Sequence, residues 1–216
     1  MSKDVFFEPW VGSKYEKGIN GRKIMVLGHN HYCDKKPVCV YCKRTDCRTF
    51  FTTDIIKEYL QKPFYDSKED PHRWKLTFNA FEKAWFGQNI NNEKRNDLWE
   101  HLLFYNFIQE AMPDSNTKPT AKQYKDAEAP FRSILSRYTP NVILVWGNGA
   151  YNHTPNDNGV HIEPIEYEDQ RSIGWRYLCY NEPIDIFKIH HPARSFSYIK
   201  WHNIITRIIN GDYACK

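Results

Sequence analysis

Apolar residues gather in this chain into three short strings, residues 23–27, 141–146 and 184–189, each rich in β-branched side chains and followed by a glycine or proline. Brief apolar runs ended by a turn residue predict buried β-strands. Between them, residues 53–60, 75–85, 97–111 and 127–138 carry their apolar side chains at helical spacing; in the third stretch Leu98, Leu102, Leu103 and Tyr105 mark the period. A further helix is predicted over 197–209, closed by Asn210-Gly211 as a C-cap. Strands that alternate with helices predict a three-layer α/β/α domain with a central, mostly parallel sheet. Two segments fit neither period: residues 33–48 form an excursion from the exit of the first strand, and the Asn-, Pro- and Gly-rich residues 152–159 form a surface loop. No linker divides the chain, so residues 1–216 are expected to be one domain with a cysteine-rich insertion.

Composition narrows the class only slightly. Thirty Lys and Arg against 26 Asp and Glu give a net charge of +4, which permits a polyanionic partner without requiring one. Aromatic residues make up 16% of the chain, enough for a few to stack on a ligand while most fill the core and its rim. The start, from Met1 to Trp10, lacks the basic residues and long apolar stretch of a secretory signal. No apolar string approaches the roughly 20 residues that span a bilayer. A soluble protein of the cytoplasm or another intracellular compartment, with no membrane partner, is therefore expected.

Six cysteines in such a compartment are expected to be reduced thiols or metal ligands. Cys33, Cys39, Cys42 and Cys47 fall within fifteen residues as Cys-x5-Cys-x2-Cys-x4-Cys, a grouping suited to tetrahedral, structural zinc; free thiols are the alternative. Lys43, Arg44 and Arg48 lie between or beside them and would be placed to grip phosphates. Cys179 is expected to be a buried thiol and Cys215 a tail thiol.

The candidate chemistry sits at strand exits. Gly28-His29-Asn30-His31-Tyr32 follows the first predicted strand and His191-Pro192-Ala193-Arg194-Ser195 follows the last. Ligand sites of open α/β sheets lie at such carboxyl ends. Two further signposts, Leu102-Leu103-Phe104-Tyr105-Asn106 and Val145-Trp146-Gly147, stand between them. Taken in order, the four segments resemble the uracil-DNA glycosylase superfamily, over about residues 22–203. In that family a Gly-Gln-Asp-Pro-Tyr or Gly-x-Asn-Pro-Gly motif follows the first strand, and the base-reading Asn follows a Leu-rich run. A later strand often ends in Trp-Gly, and the last motif is His-Pro-Ser.

The resemblance implies removal of uracil from DNA by hydrolysis of the N-glycosidic bond after base flipping, by a monomeric protein. By that resemblance His191 donates a hydrogen bond to the departing base oxygen, Asn106 reads the uracil edge, and Asn30 orients the water or the sugar. Gly28, His29 and His31 line the pocket with them, Tyr32 excludes the thymine methyl, and Phe50 or Phe51 supplies a stacking ring. Arg194 contacts phosphate, and the loop from Arg194 through Ser195 and Phe196 to Tyr198 forms the wedge that enters the minor groove. Some branches of the family carry an iron–sulfur cluster, but with cysteines distributed otherwise, which leaves zinc ahead of iron–sulfur here.

The departures are as specific as the matches. His31 stands where the family has Pro, Ala193 where it has Ser, and no Asp is present in the first motif, so slow or altered chemistry is implied. Other readings of the same residues stay open: Asn106 as a polar residue on a helix face, His191 as an ordinary loop histidine, and His29 with His31 as a metal pair or as one lining ring and one exposed ring. At the level of function the alternatives are a non-catalytic nucleic-acid or nucleotide-binding module and a small metal-stabilised interaction protein.

Overall fold

A computed structural model of the chain describes residues 5–32, 50–63, 73–193 and 196–215. Within them β1 (Trp10–Val11), β2 (Ile24–Gly28), β3 (Leu102–Asn106), β4 (Val142–Trp146), β5 (Val160–Tyr167), β6 (Gln170–Tyr177) and β7 (Ile184–Ile189) form one seven-stranded sheet. Its order is β1-β3-β2-β4-β7-β6-β5. The four central strands are parallel, and β1, β6 and β5 continue the sheet antiparallel at its edges.

Every residue of β2, β3 and β4 is buried, the pattern of parallel strands covered on both faces. Successive side chains therefore enter different cores. Ile24, Val26, Leu102, Phe104, Leu144 and Trp146 pack with α1 (Phe51–Gln61), α2 (Lys75–Phe86), α3 (Asn92–His101) and α6 (Tyr198–Asn210). Met25, Leu27, Leu103, Tyr105, Ile143 and Val145 pack with α4 (Ala121–Tyr138) and the short α5 (Asn148–Tyr151). The α/β/α layering follows from this alternation. The helices are anchored by polar contacts as well: Arg95 of α3, Glu82 of α2 and Tyr59 of α1 form a buried cluster, with Arg95 Nε 2.9 Å from Glu82 and the Trp99 indole N–H 2.8 Å from the same carboxylate.

Two expectations are corrected, and one hairpin has no counterpart in the sequence reading. Residues 97–111 are not one helix: α3 ends at His101 and Leu102–Asn106 is a central strand. Five buried residues in a row cannot show a period, so the leucines of a two-sided strand mimic a helix stripe. The hairpin of β5 and β6 carries no uniform alternation in sequence, because a register shift between Ile162 and Ile165, at Pro164, interrupts it on the sheet's edge strand. Cys179 is exposed, not buried; it lies in the turn that leaves β6, where no packed layer covers it.

Candidate functional site

The order of the parallel strands reverses between β2 and β4: the chain passes from β2 outward to β3, then returns to β4 on the other side. Loops leaving β2 and β4 therefore diverge, and the crevice opened there is the expected ligand position in an open α/β sheet. The described strand-exit candidates gather at this edge. Asn106 pairs in register with Gly28, Leu27 with Val145, and Trp146 with Ile189, so the ends of β3, β2, β4 and β7 are level.

The first motif is fastened to the segment after β3. The amides of Phe107, Ile108 and Met112 donate to the carbonyls of Gly28, His29 and His31 at 3.0, 2.9 and 2.8 Å. Gly28 is demanded by what lies above it. A Cβ at this position would stand 2.1 Å from Asn106 Oδ1 and 3.1 Å from the Phe104 ring. Asn106 shares a sheet face with Gly28 and Trp146, which brings its amide over the neighbouring strand. The amide is buried, and its Nδ2 lies 3.2 and 3.1 Å from the two ring nitrogens of His31.

His31 is 3% exposed, stacked on Phe51 at 4.6 Å and edge-on to Phe7, with Nε2 2.8 Å from the Thr52 hydroxyl. Burial lowers its pKa to about 3, so the ring is neutral. His29 turns to the other face. Its Nε2 is 3.0 Å from the Tyr124 hydroxyl, and a Cβ on Gly149 would meet its ring at 2.7 Å. Burial, then the neighbouring His153, lowers its pKa to about 4. Tyr124 stacks in turn on His153, with centroids 3.5 Å apart. His29 and His31 thus have no partner in common and do not form a metal pair, nor is either ring exposed. Among the described residues no group of three His, Cys, Asp or Glu side chains is arranged to hold a metal ion.

On the far side of the crevice His191 folds over Gly147, whose positive φ of 80° and absent side chain make room for it; a Cβ there would lie 3.0 Å from the His191 Cβ. The Ala193 amide donates to His191 Nδ1 at 3.2 Å, so Nδ1 acts as the acceptor and a ring proton sits on Nε2. The Trp146 ring stands edge-on to it at 6.3 Å. Asn30 is half-buried, with Nδ2 3.3 Å from the His31 carbonyl.

The remaining candidates separate. Phe51 is in the site against His31, whereas Phe50 is 60% exposed. Tyr32 is 41% exposed and bridges to Met112 at the rim. Tyr198 opens α6 at the surface, and Phe196 stacks on Trp201. Cys33, Cys39, Cys42, Cys47, Lys43, Arg44, Arg194 and Ser195 lie outside the described residues. Sequence reasoning missed Thr52, Tyr124, His153 and Gly149. Only the last carried a signal, as the second glycine of Gly147-Asn148-Gly149 after a strand. No helix among the described residues is long and apolar enough to cross a membrane. A scan against protein-family models finds no match, and neither does a search of curated proteins.

Proposed function

We propose that this chain is a divergent uracil-DNA glycosylase-like hydrolase that flips uracil out of DNA into the crevice between β2 and β4 and cleaves its N-glycosidic bond. One observation carries the reading. The Asn106 amide stands over Gly28 and the His191 ring over Gly147, two glycines at the ends of adjacent strands. Adjacent strands are about 5 Å apart, so the two head groups bracket a gap on the order of 5–10 Å, the width of one planar ring hydrogen-bonded at both edges.

In the proposed step the C1′–N1 bond breaks and its electron pair passes to the base, while the oxygen of a water bonds to C1′. His191 Nε2–H donates to the oxygen that gains charge, a contact with an oxyanion role worth several kcal/mol. Asn106 offers an acceptor and a donor to the uracil edge. Asn30 has its amide nitrogen tied to the His31 carbonyl, which leaves Oδ1 to accept from the attacking water. The proton released by that water goes to the departing base or to solvent, because the rings of His29 and His31 are engaged and poorly basic. Turnover is accordingly slow. The cysteine quartet, by its spacing alone, adds a structural zinc next to the first motif.

A second reading, a nucleic-acid-binding module of the same architecture without turnover, is favoured by one specific feature: among the described residues the hydrogen-bonding partners of His29, Asn30, His31 and Asn106 are all uncharged. A uracil-containing oligonucleotide incubated with the protein and then with alkali separates the two. Strand cleavage supports hydrolysis, and tight binding with an intact strand supports the module.

A further inference from the structure

We propose that His153 and Tyr124 form a stacking platform for the base next to the flipped one in a DNA single strand; the inference rests on the base-flipping reading given above. Flipping a base out of the stack takes a stacking partner from its neighbour in the strand. Every base has a π-face, so an aromatic side chain can take that partner's place whatever the sequence. A ring suited to this is fixed in place, accessible on one face and close to the crevice.

The His153 ring meets each condition. Tyr124 covers one face of it, with centroids 3.5 Å apart and ring planes 9° from parallel. Its Nδ1–H donates to the Gly149 carbonyl at 2.8 Å, and its backbone amide donates to the Ala150 carbonyl at 3.0 Å, so ring and backbone are both held. The residue is nevertheless exposed, and it lines a cavity of about 350 Å³ together with Tyr124, Lys125, Glu128 and Asn152. That volume is at the low end for small-molecule pockets and has room for a base-sized ring. Lys125 is paired with Glu128 at 3.1 Å, so the lining charges cancel and the cavity suits a neutral ring better than a phosphate. The exposed Asn152 amide offers a donor and an acceptor to the edge of such a ring.

Two contacts tie this platform to the crevice. The Tyr124 hydroxyl lies 3.0 Å from Nε2 of His29 in the first motif. Gly149 serves both rings: its carbonyl holds His153, and its lack of a side chain makes room for His29, whose ring a Cβ would meet at 2.7 Å. Gly149 stands two residues beyond Gly147, over which His191 folds. The platform therefore flanks the position proposed for the flipped base, on the side of α4 and α5, with the His29 ring between them.

The full chain is titrated against two single-stranded oligothymidylates that carry one uracil, with 2-aminopurine as the neighbouring base on its 5′ side in one strand and its 3′ side in the other. The fluorescence of 2-aminopurine falls when it stacks. Wild-type protein is expected to quench the probe on at least one side. His153→Ala loses that quenching and binds the strand about tenfold more weakly. His153→Phe, which keeps a ring and loses the bond to Gly149, retains both. His153 lies at the surface, so both variants keep the fold. A wild-type protein that neither binds nor cleaves the strands overturns the platform together with the base-flipping reading. If the uracil strand is bound or cleaved, three results overturn the platform alone: a probe that stays bright on both sides, quenching by His153→Ala equal to the wild type's, or His153→Phe behaving as His153→Ala.

Discussion

Asn106 and His31 meet in the buried edge of the site as a polar pair with no formal charge, an amide nitrogen 3.1–3.2 Å from a neutral imidazole. Buried polar groups are tolerated when each finds a partner, and here Asn106 and Thr52 both find theirs in the His31 ring. It also couples the site to acid.

The folded protein refuses protons that the unfolded chain accepts. His31 and His29 have pKa values lowered to about 3 and about 4 from an ordinary value near 6.5. The unfolded state binds more protons below pH 6.5, so stability is complete above that value and is lost as pH falls toward 4. The fully buried His31 ring contributes a slope of up to about 1.4 kcal/mol per pH unit, and the partly buried His29 ring less. Urea unfolding at pH 7, 5.5 and 4.5 is expected to show this decline, and His31→Phe to remove about one proton's share of it. An identical slope in the variant would contradict the burial of His31.

Gly28→Ala places a methyl group 2.1 Å from Asn106 Oδ1. The amide must move, because Gly28 is a central-strand residue paired on β3 and cannot yield. Overpacking of this kind costs about 1–3 kcal/mol. Uracil release should fall at least as far as in Asn106→Ala while the melting temperature drops by only a few degrees; full activity would remove Asn106 from the site.

The cluster under the helices makes a prediction that is independent of function. Arg95 is 2% exposed and its Nε bonds Glu82, itself 1% exposed. Removing one partner strands a buried charge, so Arg95→Ala should lose about 3–5 kcal/mol by chemical denaturation. A loss below 1 kcal/mol would show the pair to be solvated.

How much of this was legible in the sequence depends on what each residue answers to. β2, β4 and β7 were readable because their apolar runs end at turn residues, and α6 because Gly211 closes it in the left-handed region. β3 was not, since a strand buried on both faces has no period to read. The start of α4 was hidden differently: its first turns are polar and exposed, and only the capping box of Thr120 and Gln123 marks where it begins. At the candidate site, the motifs singled out Asn106, His191 and Gly28, which lie at the carboxyl edge of the sheet. The contacts of His31 with Thr52 and of His29 with Tyr124 join residues 21 and 95 positions apart, and no local pattern announces them.

The cysteine quartet can be examined without any activity. Cys33, Cys39, Cys42 and Cys47 predict one equivalent of zinc per chain in purified protein, and a lower melting temperature after prolonged chelation. Elemental analysis that finds neither zinc nor iron after metal-replete expression would leave the quartet as free thiols.

The most direct measurement is alkali cleavage of a single-uracil oligonucleotide after incubation with the protein, beside Asn106→Ala and His191→Ala. We expect slow but complete conversion by the wild type, and at least a hundredfold loss in each variant without a matching loss of fold. A uracil strand left intact by an excess of folded wild-type protein, or cleaved equally by both variants, would contradict hydrolysis at this site.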